Sequence, residues 1–324
     1  MHGYGSADVL KLGTVDRPVP NDDQVLIKVV ATSVNRPDIV QREGNYPPPK
    51  GESEIIGLEI AGTIVELGQN VTGYDIGDRV AALIGGGGYA EFAVSYGVHL
   101  IKLPDHMTFH EGACISETYI TSYLNLFRIA ELNNEQRVLL HGGGGGVNTA
   151  AVQLCKVLAP NAVVFVTASS KKLDLVRELG VQYVIDYQNQ DFSKEITRLT
   201  QGSGVDVILD HIGRSYLRLN MKALATEGIL IIIGVTSGAR AEINLGSMMV
   251  KRQRVVGSVL RSRSVMEKAG IIADFTRAVM PFLERREIMP VIHKIMPLEA
   301  ARDAHREMEG SRHFGKIVLE VDST

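Results

Sequence analysis

The segment VLLHGGGGGVNTAAVQLCKVL, residues 138–158, sets five consecutive glycines between an apolar run and a helix-patterned stretch. Each ordered glycine costs roughly 0.5–1 kcal/mol more than alanine, so the run costs on the order of 2.5–5 kcal/mol. A chain keeps such a loop where its backbone must turn sharply or approach something closely. Read as G-x-G-x-x-G, the loop places Gly143 and Gly145 correctly and Asn148 where the third glycine belongs. That spacing predicts backbone amides at Gly145, Gly146 and Val147 facing a pyrophosphate at the positive end of the following helix. Asn148 is expected to point outward or to cap the first turn, while Ala150 and Ala151 keep the packed face small. A purely structural turn is the alternative.

The flanking pattern favours the first reading. Apolar runs RVLLH, AVVFVTA, YVIDY, VDVILDHI, GILIIIG and VVGSVL alternate, for the most part, with helical patterns such as KKLDLVRELG, DFSKEITRLTQ and SYLRLNMKALA. Uninterrupted apolar strands joined by helices mean a parallel sheet covered on both faces, and six of them predict an α/β, doubly wound (Rossmann) sheet. The earlier chain is different: VLIKVVATSV, EIAGTIVEL, DRVAALI and EFAVSYGVHLI read as short strands of a curled antiparallel sheet or partial barrel. After Leu260 an amphipathic stretch and two further strand-like runs do not extend the six-strand pattern. They are expected to return to the first domain, giving residues 1–114 with 260–324 as one domain and 115–259 as the nucleotide-binding one.

With 324 residues and 45% hydrophobic composition, two domains with substantial cores are expected. The formal net charge is −3 and no lysine/arginine block would neutralise several phosphates, which argues against a nucleic-acid partner. No run of eighteen apolar residues occurs, and the start MHGYGSADVL lacks the features of a signal peptide, so a soluble, cytoplasmic protein with no membrane association is expected. Its two cysteines, Cys114 and Cys155, fit a reducing compartment and no metal-ligand spacing.

Sheets that bind NAD usually carry an acidic residue about twenty residues after the loop, where it holds the ribose hydroxyls. Here VFVTASSKK has none; Ser169, Lys171 and Lys172 occupy the turn and Tyr187 ends the neighbouring third strand. A lysine about 4 Å from a ribose phosphate gains about 4 kcal/mol per unit charge at an effective dielectric of 20, before desolvation. NADPH is therefore expected over NADH, the alternative being a solvated helix start.

Motifs along nearly the whole chain, NRPDIVQREGNYPPP, GLEIAGTIVELG, GDRVAALIGGGGYAEF, ETYITSYLNLF, HGGGGGVNTAAVQL, GSVLRSRS and FGKIVLEV, resemble the medium-chain dehydrogenase/reductase superfamily. Within it they look like the zinc-independent quinone oxidoreductase (zeta-crystallin-like) branch, and GSVLRSRS with NRPDIVQREGNYPPP is most similar to the tumour-suppressor-inducible NADPH quinone oxidoreductases. The resemblance implies a mostly β, partly barrel-like (GroES-like) catalytic domain, a homodimer, and one more strand before the segment matching MHGYG. By resemblance Thr121 contacts the nicotinamide, Asn35 approaches nicotinamide and substrate, and Tyr46 lines a quinone pocket. Leu260 stands beside the nicotinamide and Lys316 near the pyrophosphate. Gly234 is expected to allow close backbone approach to the cofactor. An ordinary structural role is the alternative for each, and Arg261 and Arg263 are read as lying near this mouth without a catalytic part. Zinc-dependent relatives place a cysteine near Asn35 and a histidine just before Glu59; this chain has Asn35 and Leu58, so no metal site is expected.

Hydride arriving at an isolated ketone builds a basic alkoxide that needs a Lewis acid or proton donor, whereas a quinone spreads the charge over its ring. The expected activity is thus an NADPH-dependent quinone oxidoreductase working in a metal-free cleft between the domains, with Asn35 and Tyr46 as catalytic residues. The alternatives are an enone or alkenal double-bond reductase, or a non-catalytic NADPH-binding sensor or structural protein.

Overall fold

A computed structural model describes residues 3–321. The chain divides into two compact units, Met1–Ile120 with Leu260–Thr324, and Thr121–Val259. The first unit opens with β1 (Gln24–Val34), β2 (Glu59–Leu67), β3 (Arg79–Leu83), β4 (Phe92–Tyr96) and β5 (Leu100–Lys102). The second carries β6 (Arg137–His141), β7 (Val163–Ala168), β8 (Tyr183–Asp186), β9 (Val205–Asp210), β10 (Leu224–Ile232) and β11 (Arg254–Gly257). The chain then re-enters the first unit with the helix Val265–Glu284, β12 (Ile292–Pro297) and β13 (Lys316–Glu320).

In the second unit all six strands are parallel, in the order β11-β10-β9-β6-β7-β8. Each is apolar because both faces are covered: Val138, Leu139 and Leu140 of β6 and Val207 and Ile208 of β9 are wholly buried. One face packs Leu139, Phe165 and Ile208 against Phe192 and Ile196 of the helix Phe192–Leu199. The chain leaves β6 toward β7 and β8 on one side and later adds β9, β10 and β11 on the other. The carboxyl end of β6 is therefore the point where strand order reverses, which is where doubly wound sheets open a crevice for ligands. The five glycines begin there.

The first unit is an open seven-stranded sheet, β12-β13-β1-β2-β3-β5, with β4 also paired to β1. β1, eleven residues long, pairs with three strands, and register shifts against β2 at Leu26/Ile27 and Val29/Ala31 bend it enough to do so. Val25, Ile27, Val29, Ile60, Ile64 and Val80 form its core. EFAVSYGVHLI, read from sequence as one strand, is two. A 3-10 turn at Gly97–His99 separates β4 from β5, and the buried His99 side chain hydrogen-bonds the Val265 carbonyl at 3.0 Å.

His141, at the end of β6, is sealed in the second unit between Thr167 Oγ1 (3.0 Å) and Asn220 Oδ1 (2.7 Å). Burial pushes its imidazole down to about 3, although the Asn220 bond opposes this. The folded chain thus keeps His141 neutral where the unfolded chain, titrating near pH 6.5, takes up a proton. Its stabilisation is complete above about pH 6.5 and drains as pH falls toward 3. In urea unfolding, wild type should lose up to about 1.4 kcal/mol per pH unit more than His141→Gln between pH 6 and pH 4; parallel pH profiles would show no such contribution.

Candidate functional site

The glycine turn is fixed from three sides. The Gly142 and Gly143 amides both donate to the Thr167 carbonyl, at 3.0 and 2.9 Å, folding the turn back over the end of β7. Gly142 has a φ of +76°, and a methyl group on Gly143 would sit 2.3 Å from Val166 Cγ1. The Gly145 amide closes the turn on the Gly142 carbonyl at 3.0 Å, and the helix Gly146–Leu158 starts immediately after. That bond uses one of the three amides expected to face a pyrophosphate. The donors left by helix geometry are those of Gly146 and Val147, with Asn148, because the first-turn amides of a helix have no partner within it. A Cβ on Gly145 would meet nothing nearer than the Gly142 carbonyl at 3.5 Å, so space remains in front of those donors. An anion such as a nucleotide diphosphate fits this cradle.

Asn148 follows neither expected course. It is buried, and its amide donates back to the His141 and Gly142 carbonyls, the latter at 3.1 Å. Without the flat surface of a third glycine, the side chain joins helix to strand by hydrogen bonds instead.

Pairing of β7 with β8, in register at Ala168 and Asp186, brings Ser169, Lys172 and Tyr187 to one end of the sheet. The Tyr187 amide donates to the Ala168 carbonyl at 3.2 Å and its ring is exposed. Lys172 is half-buried and folds over the turn: a Cβ on Gly144 would meet its Cδ at 2.5 Å and its Nζ at 3.0 Å. Burial lowers the Lys172 pKa. The acidic residue at this end is Asp186, on β8, and its carboxylate is taken by Ser170 Oγ (2.6 Å), Asn189 Nδ2 (2.8 Å) and the Gln188 amide (3.0 Å).

Thr121 lies in the helix Thr118–Tyr123, which continues as a π-helical turn, Leu124–Ile129. Neighbouring Ser122 donates to the Val147 carbonyl at 2.8 Å, docking this helix on the start of the glycine-turn helix. Gly234 follows β10, and a Cβ there would approach the His211 carbonyl to 3.1 Å. The His211 ring itself packs on Gly142. Sequence reading singled out neither Ser122 nor His211. A serine in ITSY and a histidine one residue past β9 carry no local signal, because their partners are remote.

The remaining candidates stand in the first unit around a buried ion pair. Lys316 Nζ lies 3.0 Å from Glu59 Oε1 with both side chains almost completely enclosed. Its other hydrogen bonds go to the Asn35 side-chain oxygen (2.5 Å) and the Val34 carbonyl (3.2 Å), so all three ammonium protons of Lys316, expected near a pyrophosphate, are used inside the unit. Asn35 Nδ2 donates to Glu59 Oε1 (2.9 Å) and the Ser33 carbonyl (3.3 Å). Both protons of the amide expected to meet an oxyanion are therefore committed to the network, and Asn35 acts here as the N-cap residue of the helix Arg36–Arg42. Ser33 Oγ and the Glu117 amide complete the Glu59 carboxylate, at 2.6 and 2.8 Å.

Tyr46 is half-buried in the loop after that helix, under the Arg261 guanidinium, whose central carbon is 5.0 Å from the ring centroid. Burial, with Glu117 nearby, pushes the Tyr46 phenol up to about 12, so it keeps its proton at neutral pH and can donate a hydrogen bond. Burial and the Glu59 charge likewise push Glu117 up to about 8, leaving a partly exposed carboxylic acid able to donate a proton. Leu260 is buried beside Arg261 in the chain.

Residues 21–105 match the alcohol dehydrogenase GroES-like domain family, and residues 146–274 the family described as zinc-binding dehydrogenase. The donor set does not fit zinc: Leu58 is apolar, Asn35 offers an amide already bonded, and Glu59 is neutralised by Lys316. Human quinone oxidoreductase is 31% identical over 98% of this chain and 95% of its own length. The crystal structure of the human synaptic vesicle membrane protein VAT-1 homolog-like protein is 30% identical, covering 100% of this chain and 97% of that one with a TM-score of 0.87. A mycobacterial protein solved as a complex with NADPH is 25% identical, covering 99% of this chain and 98% of that one with a TM-score of 0.88. No helix among the described residues is long and apolar enough to cross a membrane.

Asp38 tests the network from its other end. Wholly buried, it accepts from the Asn35 backbone amide (2.7 Å) and Tyr89 Oη (3.3 Å), while its second oxygen has no partner. Burial pushes its carboxyl up to about 7, opposed by the Asn35 amide, Lys316 and Tyr89 and helped by Glu59. A raised acid favours folding below its unfolded value near pH 4, and that contribution is lost as pH rises through 7. Asp38→Asn, which keeps an acceptor for the Asn35 amide, should therefore flatten the loss of stability between pH 5 and pH 8 seen by chemical unfolding. An unchanged slope would mean that Asp38 is ionised throughout.

Proposed function

This chain belongs to the medium-chain dehydrogenase/reductase family, in its zinc-independent quinone oxidoreductase branch, and from that premise we propose that it reduces quinones with NADPH. The observation that carries the cofactor choice is Lys172 folded over Gly144, in company with Ser169 and Tyr187 and with Asp186 already bonded. When bound, NADPH supplies a hydride from its nicotinamide ring. The chain's own residues bind and orient. The Gly146 and Val147 amides receive the diphosphate, and Lys172 pairs with the ribose phosphate while Ser169 and Tyr187 flank it. Thr121 stands next to Ser122, which is fixed on Val147, and so is held at the same helix start; Gly234 leaves room for the cofactor, and Leu260 lies beside the nicotinamide.

The Tyr46 ring offers a planar acceptor a stacking surface, and its protonated phenol offers a hydrogen bond to the acceptor oxygen. Asn35 contributes through the Glu59–Lys316 network rather than by its own amide protons. A quinone needs little more, because its ring delocalises the charge that arrives. Both cysteines are free and buried, which supports a reducing, cytoplasmic setting; a homodimer is our expectation for the working form.

Two measurements decide the reading. Steady-state turnover with NADPH should be found with o- and p-quinones and be weak or absent with alkenals. Alkenal turnover alone would make the protein a double-bond reductase, and tight NADPH binding without oxidation by any quinone would make it a non-catalytic binder. In direct titrations Lys172→Ala should weaken NADPH about tenfold or more and leave NADH within about twofold, as expected for one lost charge-assisted phosphate contact. Equal loss for both cofactors would remove Lys172 from the phosphate.

A further inference from the structure

Arg261 carries more structure than any other charged residue near Tyr46. It is almost fully buried, and its guanidinium bonds in several directions at once. Nε and Nη2 donate to the Gly85 carbonyl at 2.9 and 2.5 Å, Nη1 to the Tyr46 carbonyl at 3.1 Å, and Nη2 also to Gln41 Oε1 at 2.8 Å. Its central carbon lies over the Tyr46 ring, 5.0 Å from the centroid. One side chain thus grips the loop that bears Tyr46, the helix before it, and the glycine-rich loop after β3. Lysine cannot reproduce this, because a single ammonium has neither the planar fork nor the reach to bond three separated acceptors while covering a ring.

We propose that Arg261 is a positioning residue for the acceptor, fixing the plane of the Tyr46 ring so that flat, fused-ring electrophiles are preferred to small ones. The inference rests on the reading of Tyr46 as the stacking surface. With the guanidinium over the ring and the Tyr46 carbonyl anchored by the same group, the ring is held in one orientation in its loop. Pro47, Pro48 and Pro49 directly after it restrict the loop further. A ring free to rotate would meet a bicyclic acceptor in many orientations, whereas a fixed ring meets it in one. A small monocyclic quinone overlaps the ring less and gains less from that order.

The test is a cycle of Arg261→Lys and Tyr46→Leu, assayed with 1,4-naphthoquinone and 1,4-benzoquinone, together with NADPH titration followed by cofactor fluorescence. Arg261→Lys should raise the naphthoquinone KM about tenfold, the size of a lost cation–π anchor, while kcat, the benzoquinone KM and the NADPH Kd stay within about twofold. In the Tyr46→Leu background the same change should add nothing. Arg261→Met, which keeps the stem and removes the fork, should repeat the pattern if the lysine variant folds poorly. An unchanged naphthoquinone KM in folded variants, or an equal increase with and without Tyr46, would overturn the positioning role while leaving quinone reduction intact. No quinone turnover by wild type, or a naphthoquinone KM indifferent to Tyr46→Leu alone, would instead strike the reading on which this inference stands.

Discussion

Lys316 and Glu59 meet at 3.0 Å where neither side chain reaches solvent, and taking two charges out of water costs several kcal/mol per ion unless every valence is filled. The first unit fills them. Ser33, Asn35 and the Glu117 amide complete the carboxylate, while Val34 and Asn35 complete the ammonium. Because these groups come from β1, β2, β13 and the chain after Ile115, the pair locates four segments at once. It also bears on Asp38 and Glu117 nearby. Burial pushes both acids up, Asp38 to about 7 and Glu117 to about 8, and the Glu59 charge adds to it because a single lysine balances one carboxylate.

The glycine turn answers to a different constraint. Gly142, Gly143 and Gly144 are required by the protein itself, for a left-handed turn, for contact with Val166 and for the passage of Lys172. Gly145 is different: a side chain there would meet nothing nearer than the Gly142 carbonyl at 3.5 Å, so the protein itself does not require a glycine at that position. The cost of ordering the run is thus divided between building the turn and leaving it open.

Much of this was legible in the sequence. The six parallel strands were visible because burial on both faces forces uninterrupted apolar runs, and the turn was visible because glycine has few other reasons to repeat. Ser169, Lys172 and Tyr187 were found together because strand order alone makes their strands neighbours. What escaped depends on partners far along the chain. Arg261 reads only as a residue near the mouth without a catalytic part until Gly85, 176 residues away, is seen to accept from it. The Asn35 amide points to Glu59 rather than to open space, and no local pattern encodes that direction. The split of β4 from β5 likewise depends on a His99 contact to Val265. Asn148 departs visibly from the fingerprint, yet its side chain neither points outward nor caps the first turn but bonds back to the end of the strand.

The return of β12 and β13 to the first sheet has a consequence for how the molecule is made. Thr121–Val259 is continuous and owns every strand of its sheet, so once it has left the ribosome it has all it needs to collapse. The other unit is a sentence whose last words arrive late: β1 waits for β13, nearly three hundred residues downstream, and Glu59 waits for Lys316. Until then the Ala31–Val34 end of β1 lacks its β13 partner and a buried acid lacks its counter-ion, so this half is completed last.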